Sequence, residues 1–382
     1  MRNRPIKVIE LSGFNPNKRK QYPSRDSDYY YVASWAGMFA RRLKKRFPEL
    51  DIEVWRAEPE FNSATEKTVF DLKGIIFPYK KPIVPKAVTL QMVRRLRQYQ
   101  KKYQLIIHFN TIFNVFFNQI IPRLLPDAKI TLSHHGGVPP FRSGIKHMLK
   151  NKLLKNSFKH FHAHTYLRKE IKNWLLSTKS CPPVYFLPVG ADFEIFRPVD
   201  KLTARQKLGL DESKIYGIYI GNFYRLKSVD IMLHVYRKFA DKYNFSILFV
   251  GGNNNSTNDL YNEVINSGCP YWEHQNWLDL KYFLSAADFY IHPVINKEFG
   301  GFDVSLIEAM ACNIPVLSPQ LNELDFDYSE LGICVNNGGE IEEKVEYMIH
   351  NHTHYKKCRE VARQHLDGNN TIIDNLKNIL MN

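Results

Sequence analysis

The sequence predicts an α/β protein built as two doubly wound domains. Short apolar runs of strand length alternate with segments of helical period along the whole chain. A length of 382 residues is enough for two separate cores. Several expected strands end in glycine turns, at Ser12-Gly13, Gly136-Gly137, Gly221 and Gly251-Gly252, and a doubly wound sheet binds ligands at those carboxyl ends.

Composition bounds the class. Hydrophobic content of 44% and charged content of 24% suit a soluble globular enzyme. The five cysteines, Cys181, Cys269, Cys312, Cys334 and Cys358, are widely spaced, odd in number and contain no Cys-x-x-Cys. That pattern argues against a disulfide framework or a zinc site and implies a reducing, cytoplasmic setting. The first strand begins by Ile6, so no signal peptide is expected. The most apolar segment, 105–125, is broken by His108, Asn110, Asn114, Asn118 and Gln119, and reads as a buried strand and helix rather than a membrane span. The net charge of +15 is uneven: residues 1–190 carry +23 and the remainder −8. A fold does not require that asymmetry. It implies that the first half faces something anionic, such as a membrane surface.

In the first half, 6–11 reads as the opening strand. Residues 29–47 read as a helix ending in Arg41-Arg42-Leu43-Lys44-Lys45-Arg46. Those cations either complement the helix dipole or face an anionic surface. A strand at 52–55, a basic helix at 89–103 and a strand at 105–109 follow. Asn110, Asn114 and Asn118 recur every four residues and predict one polar stripe, facing solvent or the other domain, on an otherwise apolar helix. A strand at 129–133 runs into His134-His135-Gly136-Gly137. No second ligand set lies nearby, so a metal site is not expected there. Residues 143–160 read as a basic amphipathic helix. Ile145, Met148, Leu149 and Leu153 share one face, with Arg142, Lys146, Lys150 and Lys155 beside it. Such a helix either packs on its own domain or lies in a membrane interface.

The second half turns on 286–319, AADFYIHPVINKEFGGFDVSLIEAMACNIPVLSP. Residues 289–292 form a short apolar strand closed by Pro293. Residues 296–302 hold Gly300-Gly301 without periodicity and read as a loop. Val304, Ile307 and Met310 give a helix over 304–312, with Asn313 as a left-handed C-cap, and 314–317 is the next strand. This unit aims a glycine loop and a helix N-terminus at whatever binds above the sheet, which suits a phosphate. Ser305-Leu306-Ile307-Glu308 also fits a capping box, in which Glu308 would serve the helix. Asp303 as the cap would instead free Glu308 to face a ligand.

This stretch resembles the nucleotide-sugar-binding motif of glycosyltransferase family 4, retaining enzymes with the GT-B fold. Residues 308–316, Glu-Ala-Met-Ala-Cys-Asn-Ile-Pro-Val, follow the family's E-A-M-A-x-G-x-P-V, with Asn313 in place of Gly. The family's first Glu, eight residues before the second, falls on Gly300, and Glu298 lies two residues earlier. Pro188, Gly190, Asp192, Phe196 and Pro198 resemble the family's interdomain hinge. Lys227 and Asp230 fit its Gly-Arg-x4-Lys-Gly-x-Asp motif. Asn222 stands where that motif has Arg, and Arg225 lies three residues later.

The resemblance implies two Rossmann-like domains facing a central cleft: 1–195 on the acceptor side, 196–355 binding the donor, and 356–382 crossing back to the first domain. It implies retaining transfer of a sugar from a nucleotide diphosphate sugar to an acceptor hydroxyl, without metal or other cofactor. The setting would be glycan, polysaccharide or glycolipid assembly, peripheral on the inner face of the membrane. Lys227 and Arg225 would hold the diphosphate and Gly13 would approach it. Glu308 would hold the ribose, with the base near 274–276. Glu298 or the backbone of Gly300-Gly301, with Phe302, would contact the sugar. His135 would sit at the reaction centre, with His134 as the alternative. The resemblance implies the donor and a glycan or lipid-linked acceptor as partners, and the charge asymmetry adds an anionic membrane surface. Nucleic acid is not expected, because no recognition motif accompanies the charge. An epimerase or phosphorylase on the same scaffold is a second reading. A non-catalytic sugar-nucleotide-binding protein is a third, supported by Gly300 and Asn222 at positions where the family carries charge.

Overall fold

The computed structural model describes residues 4–12, 34–59, 61–69, 71–135, 144–252, 259–273, 275–294 and 302–382. The chain divides into two compact units, Met1–Val189 with Ile372–Asn382, and Gly190–Thr371. The first boundary thus falls six residues before the expected 195, and the segment assigned to the first unit at the C-terminus starts at Ile372 rather than 356.

The first unit holds β1 (Ile6–Ser12), β2 (Asp51–Glu58), β3 (Thr65–Val69) and β4 (Leu72–Pro78). A separate antiparallel hairpin, β5 (Pro82–Val84) with β6 (Val88–Thr89), precedes β7 (Gln104–Phe109), β8 (Lys129–Ser133), β9 (Ala163–Tyr166) and β10 (Val184–Phe186). The main sheet runs β10-β9-β8-β7-β1-β2-β4-β3 and is parallel except for the β3 edge. Val8, Ile9, Leu11, Leu105, Ile107 and Phe109 are buried, as strands covered on both faces require. Chain order reverses between β1 and β7, so their carboxyl ends flank a switch point.

Helix α1 (Trp35–Arg46) starts at Ser34, whose side chain accepts from the Gly37 amide at 3.1 Å. The expected start at 29 lies outside the described residues. Its basic run is used within the unit. Arg42 is buried and donates to the Val189 carbonyl, and Lys44 donates to the carbonyls of Pro48 and Leu50. Arg46 pairs with Asp374 at 3.2 Å. α2 (Leu90–Lys102) is capped by Thr89. α3 (Val115–Leu124) corrects the expected asparagine stripe. Asn114 caps the helix by accepting from the Phe117 amide at 3.0 Å, and buried Asn118 donates to the Ile112 carbonyl at 3.1 Å. These side chains finish a helix end and a loop rather than line a face. α4 (Ile145–Ser157) and α5 (Lys169–Leu176) complete the run before β10.

The second unit opens with α6 (Lys201–Leu208) and β11 (Ile215–Gly221). Next come α7 (Val229–Tyr243), β12 (Phe245–Gly251), α8 (Asp259–Ile265), β13 (Tyr271–Trp272) and α9 (Leu280–Ala286). β14 (Phe289–Ile291), α10 (Val304–Ala311), β15 (Val316–Leu317), β16 (Gly332–Ile333), α11 (Ile341–Asn351) and α12 (Cys358–Leu366) follow. The last helix, α13 (Thr371–Met381), spans the unit boundary. The sheet is all parallel in the order β13-β12-β11-β14-β15-β16, which places its switch point between β11 and β14. At the ends of β11 and β12 the backbones close tightly. A Cβ on Gly251 would lie 2.5 Å from the Gly221 carbonyl oxygen, and Gly251 has φ +115, so glycine is required. Asn313 has φ 61, the expected left-handed C-cap. Its side-chain oxygen also accepts from the Arg359 amide at 3.0 Å, a bond that glycine could not make. Arg359 in turn donates to the carbonyls of Phe193 and Phe196, both at 2.7 Å, tying the end of α10 to the 193–196 segment.

Candidate functional site

At the second unit's switch point, the turn after β11 meets the helix after β14. Residues Arg225–Lys227 form a short 3-10 turn ahead of α7, and Ser228 takes a left-handed φ of 58. The turn presents Lys227, whose Nζ donates to Asp303 Oδ2 at 2.7 Å. His292, buried at the end of β14, brings Nε2 to 2.6 Å from the same oxygen, while its Nδ1 faces Ser318 Oγ at 3.4 Å. Asp303 occupies the N-cap position of α10, yet its carboxylate makes no capping bond. It is drawn instead to Lys227 and His292, and its own amide donates to Gln320 Oε1 at 2.9 Å. Burial alone would raise the Asp303 pKa, but His292 and then Lys227 outweigh it and hold the carboxyl far below its usual range. A cation, a helix N-terminus and a strand-end imidazole thus converge where a doubly wound sheet takes anions, and a carboxylate of the chain itself engages the cation.

Glu308 is not the partner of a capping box. α10 begins after Asp303, and Ser305 Oγ instead accepts from the Tyr290 hydroxyl at 2.8 Å. Glu308 is 5% exposed, and its Oε1 accepts from Trp277 Nε1 at 2.8 Å. Trp277 lies in the short turn Trp277–Asp279 and packs edge-on against Phe196 at 5.3 Å. Phe302 is buried. Arg225 is 66% exposed at its side chain and faces Asp230 at 3.5 Å and Glu263 at 3.7 Å. Among the described residues its ionic partners are therefore acids rather than the Lys227 cluster. Asn222 gives its carbonyl to the Tyr219 hydroxyl at 2.9 Å. Gly13, His274, Glu298, Gly300 and Gly301 lie outside the described residues. Among the described residues, no group of three or more His, Cys, Asp or Glu is arranged to hold a metal ion.

The first unit has its own polar cluster at the strand ends. Glu10 on β1 lies opposite His108 on β7 in register, and its carboxylate meets His108 Nδ1 at 2.9 Å. His108 Nε2 reaches Ser133 Oγ at 2.5 Å, and Thr165 Oγ1 donates to Ser133 Oγ at 2.7 Å. All four residues are fully buried, and burial pushes the Glu10 pKa up against the pull of His108. This chain crosses β1, β7, β8 and β9 and ends beside His134 and His135. His135 packs between Trp35 at 4.6 Å and Phe39 at 5.3 Å, and Phe39 also touches His108. The residue keeps some exposure, but both its ring nitrogens are enclosed and have no hydrogen-bond partner among the described residues. Burial, then His108 and His134, hold its pKa well below normal. His134 points to Phe113 at 5.2 Å, and burial followed by Arg168 lowers its pKa to about 3.

Residues missed from sequence were His292, Asp303 as an ion-pair partner, Trp277, and the Glu10–His108–Ser133–Thr165 chain. A histidine closing the strand FYIH, and an aspartate directly before a helix, were the available signals for the first two.

Residues 200–365 match the family model described as glycosyl transferases group 1. Two D-inositol 3-phosphate glycosyltransferases are similar in sequence. That of Segniliparus rotundus is 31% identical over 146 residues, 36% of this chain and 32% of that protein. That of Mycobacterium tuberculosis is 29% identical over 143 residues, 35% of this chain and 28% of that one. The chain thus spans about a third of the length of the curated relatives it matches. Over its whole length it resembles the sucrose-phosphate synthase of Thermosynechococcus elongatus, with TM-score 0.68, 14% identity and 98% coverage of both chains. It also resembles Anabaena HepE, solved with UDP, with TM-score 0.69, 14% identity and coverage of 98% and 99%. The fold is GT-B. The expected pair of Rossmann-like α/β domains is present, and the second carries the sequence signature of the group 1 glycosyl transferases.

Proposed function

We propose that the protein is a nucleotide-sugar-dependent glycosyltransferase that transfers a sugar, with retention, to a glycan or lipid-linked acceptor hydroxyl. The observation that carries this reading is the placement of Lys227 at the N-terminus of α10, at the β11/β14 switch point. A diphosphate leaving group gathers negative charge as the glycosidic bond breaks. Lys227 and the first-turn amides of α10 would stabilise that charge without reorganising. Glu308, oriented by Trp277, would take the ribose hydroxyls. The 298–302 stretch would contact the sugar, and His135, whose ring nitrogens are enclosed in the free protein, would have to be uncovered to serve the acceptor side as a neutral imidazole. On the retaining route, the acceptor attacks the face the diphosphate leaves, and the departing diphosphate helps remove the acceptor's proton. The protein then contributes mainly positioning and electrostatics. Anabaena HepE, solved with UDP, supports a uridine nucleotide as the first donor to try.

A second reading, a binding protein without turnover, is favoured by two observations: Asp303 already engages Lys227, and Asn222 replaces a family arginine. One experiment separates the two. A thermal-shift screen with UDP-, GDP- and ADP-sugars identifies the donor, since ligand at about 100 times its Kd stabilises by about 2.7 kcal/mol. The labelled donor is then followed for release and transfer of its sugar. Stabilisation with transfer supports the enzyme, stabilisation without release or transfer supports the binding protein, and no stabilisation by any sugar nucleotide overturns both.

A further inference from the structure

Helix α4 carries an apolar stripe on its outer face. Ile145, Met148, Leu149 and Leu153 are 79%, 68%, 56% and 37% exposed. They follow the i, i+3, i+4, i+8 spacing of a single helical face. The opposite face does the packing, through buried Leu154 and Ser157 with Phe158 just beyond. Lys152 stands exposed within the stripe, and Lys146 is exposed at its border. The neighbouring helix extends the apolar surface. Gln119 of α3 donates to the Leu153 carbonyl at 2.7 Å, and Phe116, one turn away on α3, is 57% exposed. Charge tells what this surface meets. No Asp or Glu occurs between Asp127 and Glu170, while Lys129, Arg142, Lys146, Lys150, Lys152, Lys155, Lys159, Arg168 and Lys169 do.

We propose that the outer face of α4, with Phe116 of α3, docks on an anionic lipid bilayer. The apolar side chains enter the headgroup boundary and the lysines pair with lipid phosphates. A protein partner large enough to cover this stripe would need an acidic rim around an apolar groove, whereas an anionic bilayer supplies both features at once. Among the described residues no helix is long and apolar enough to cross a membrane, so the attachment proposed is to one leaflet. The inference deepens the transferase reading by naming the surface that would meet a lipid-linked acceptor, but its test needs neither donor nor turnover.

The test is co-sedimentation of the full chain with vesicles of phosphatidylcholine alone and of phosphatidylcholine mixed with phosphatidylglycerol. Binding is expected only to the second set and should weaken as salt is raised. Met148→Ser with Leu149→Ser should weaken it about tenfold or more, because two inserting side chains are lost. Lys146→Gln with Lys152→Gln should weaken it about thirtyfold. All four positions are exposed, so the variants should melt like the parent, and their melting curves check this. Three results would overturn the proposal. One is absence of binding to the anionic vesicles. Another is unchanged binding by the serine variant. The third is a vesicle-free dimer that the serine variant dissociates, which would assign the stripe to a second copy of the chain. A chain that binds vesicles but transfers no sugar would leave the surface in place and remove the enzymatic reading.

Discussion

If Lys227 receives the donor's diphosphate, it must first leave Asp303, so removing that carboxylate should tighten nucleotide binding. Asp303→Asn keeps the shape and removes the charge. Hydrogen bonds to charged groups contribute about 1.5–3 kcal/mol when shielded. Here the side chains of Lys227 and Asp303 are 21% and 32% exposed, so screening reduces that to about 1–2 kcal/mol. At 1.4 kcal/mol per tenfold, UDP or the equivalent nucleoside diphosphate should bind about five- to thirtyfold more tightly to Asp303→Asn. The free protein should pay in stability. Asp303 has a depressed pKa in the folded state, so its contribution is complete above its unfolded value and is lost only as pH falls toward the folded one. At neutral pH the variant should therefore melt earlier. Lys227→Ala should weaken binding, and the double variant should resemble Lys227→Ala. Calorimetric titration of the four proteins with UDP, GDP and ADP reads the whole cycle. Equal or weaker binding by Asp303→Asn would refute the reasoning, because the carboxylate would then belong to the bound state rather than compete with it.

Three further expectations follow from the same geometry. Glu308→Gln keeps an acceptor for Trp277 but removes the charge, so donor affinity should fall about tenfold while melting changes little; a variant that melts earlier yet binds normally would make Glu308 a purely structural residue. Arg225→Ala should leave nucleotide affinity within about twofold, since the side chain faces Asp230 and Glu263, and a loss of tenfold or more in titration would restore the family's cation pair. The fold should also be acid-labile. His134 and His164 are held near about 3, and His135 well below normal, all chiefly by burial, so the unfolded chain takes up protons that the folded chain refuses below about pH 6.5. Between about pH 7.5 and 5 each histidine should cost about 2 kcal/mol of stability. Glu10, with its raised pKa, works in the opposite direction and offsets part of this loss. Melting followed against pH checks the balance, and a flat profile over that interval would contradict it.

Much of the fold was legible because a parallel strand buried on both faces is a continuous apolar word. The stretches 105–109, 245–250 and 289–292 are nearly of this kind, and each appears within a residue or so of its expected place. Strand β2 was read only over 52–55 because its sequence, DIEVWRAE, looks half-charged. Its charges are buried in pairs: Glu53 accepts from Lys7 at 3.0 Å and from Trp55 at 2.7 Å, and Arg56 meets Glu58 at 3.0 Å. Only the neighbouring strand and ring explain why those carboxylates can be buried. The edge strand β3, TEKTV, gives no apolar signal at all, because an edge can face water. The asparagine repeat misled for a related reason: a period of four looks like a helix face, but Asn114 lies before the helix and Asn118 reaches back into the loop.

The sequence singled out Lys227 and Glu308, where a motif fixes residue type and spacing together, and the structure places Lys227 beside the N-terminus of α10 and Glu308 against Trp277. The site was not legible at its couplings. Glu10 and His108 are 98 positions apart and Lys227 and Asp303 are 76 apart, and only the sheet order brings each pair together. The second coupling changes how the motif's departures read. With Asn222 in place of an arginine, Lys227 is the cation bonded at the α10 N-terminus, and an unpaired, largely buried lysine would be costly. Asp303 removes that cost in the free protein, and His292 would remain as the carboxylate's partner if Lys227 turned to a diphosphate. A nucleotide diphosphate bound there would thus exchange one anion for another at Lys227 and leave the carboxylate to His292. Asn222 in place of an arginine and the carboxylate of Asp303 therefore act in the same direction, both lowering the positive charge that Lys227 offers to an anion, so Asp303→Asn is the single change that should recover affinity.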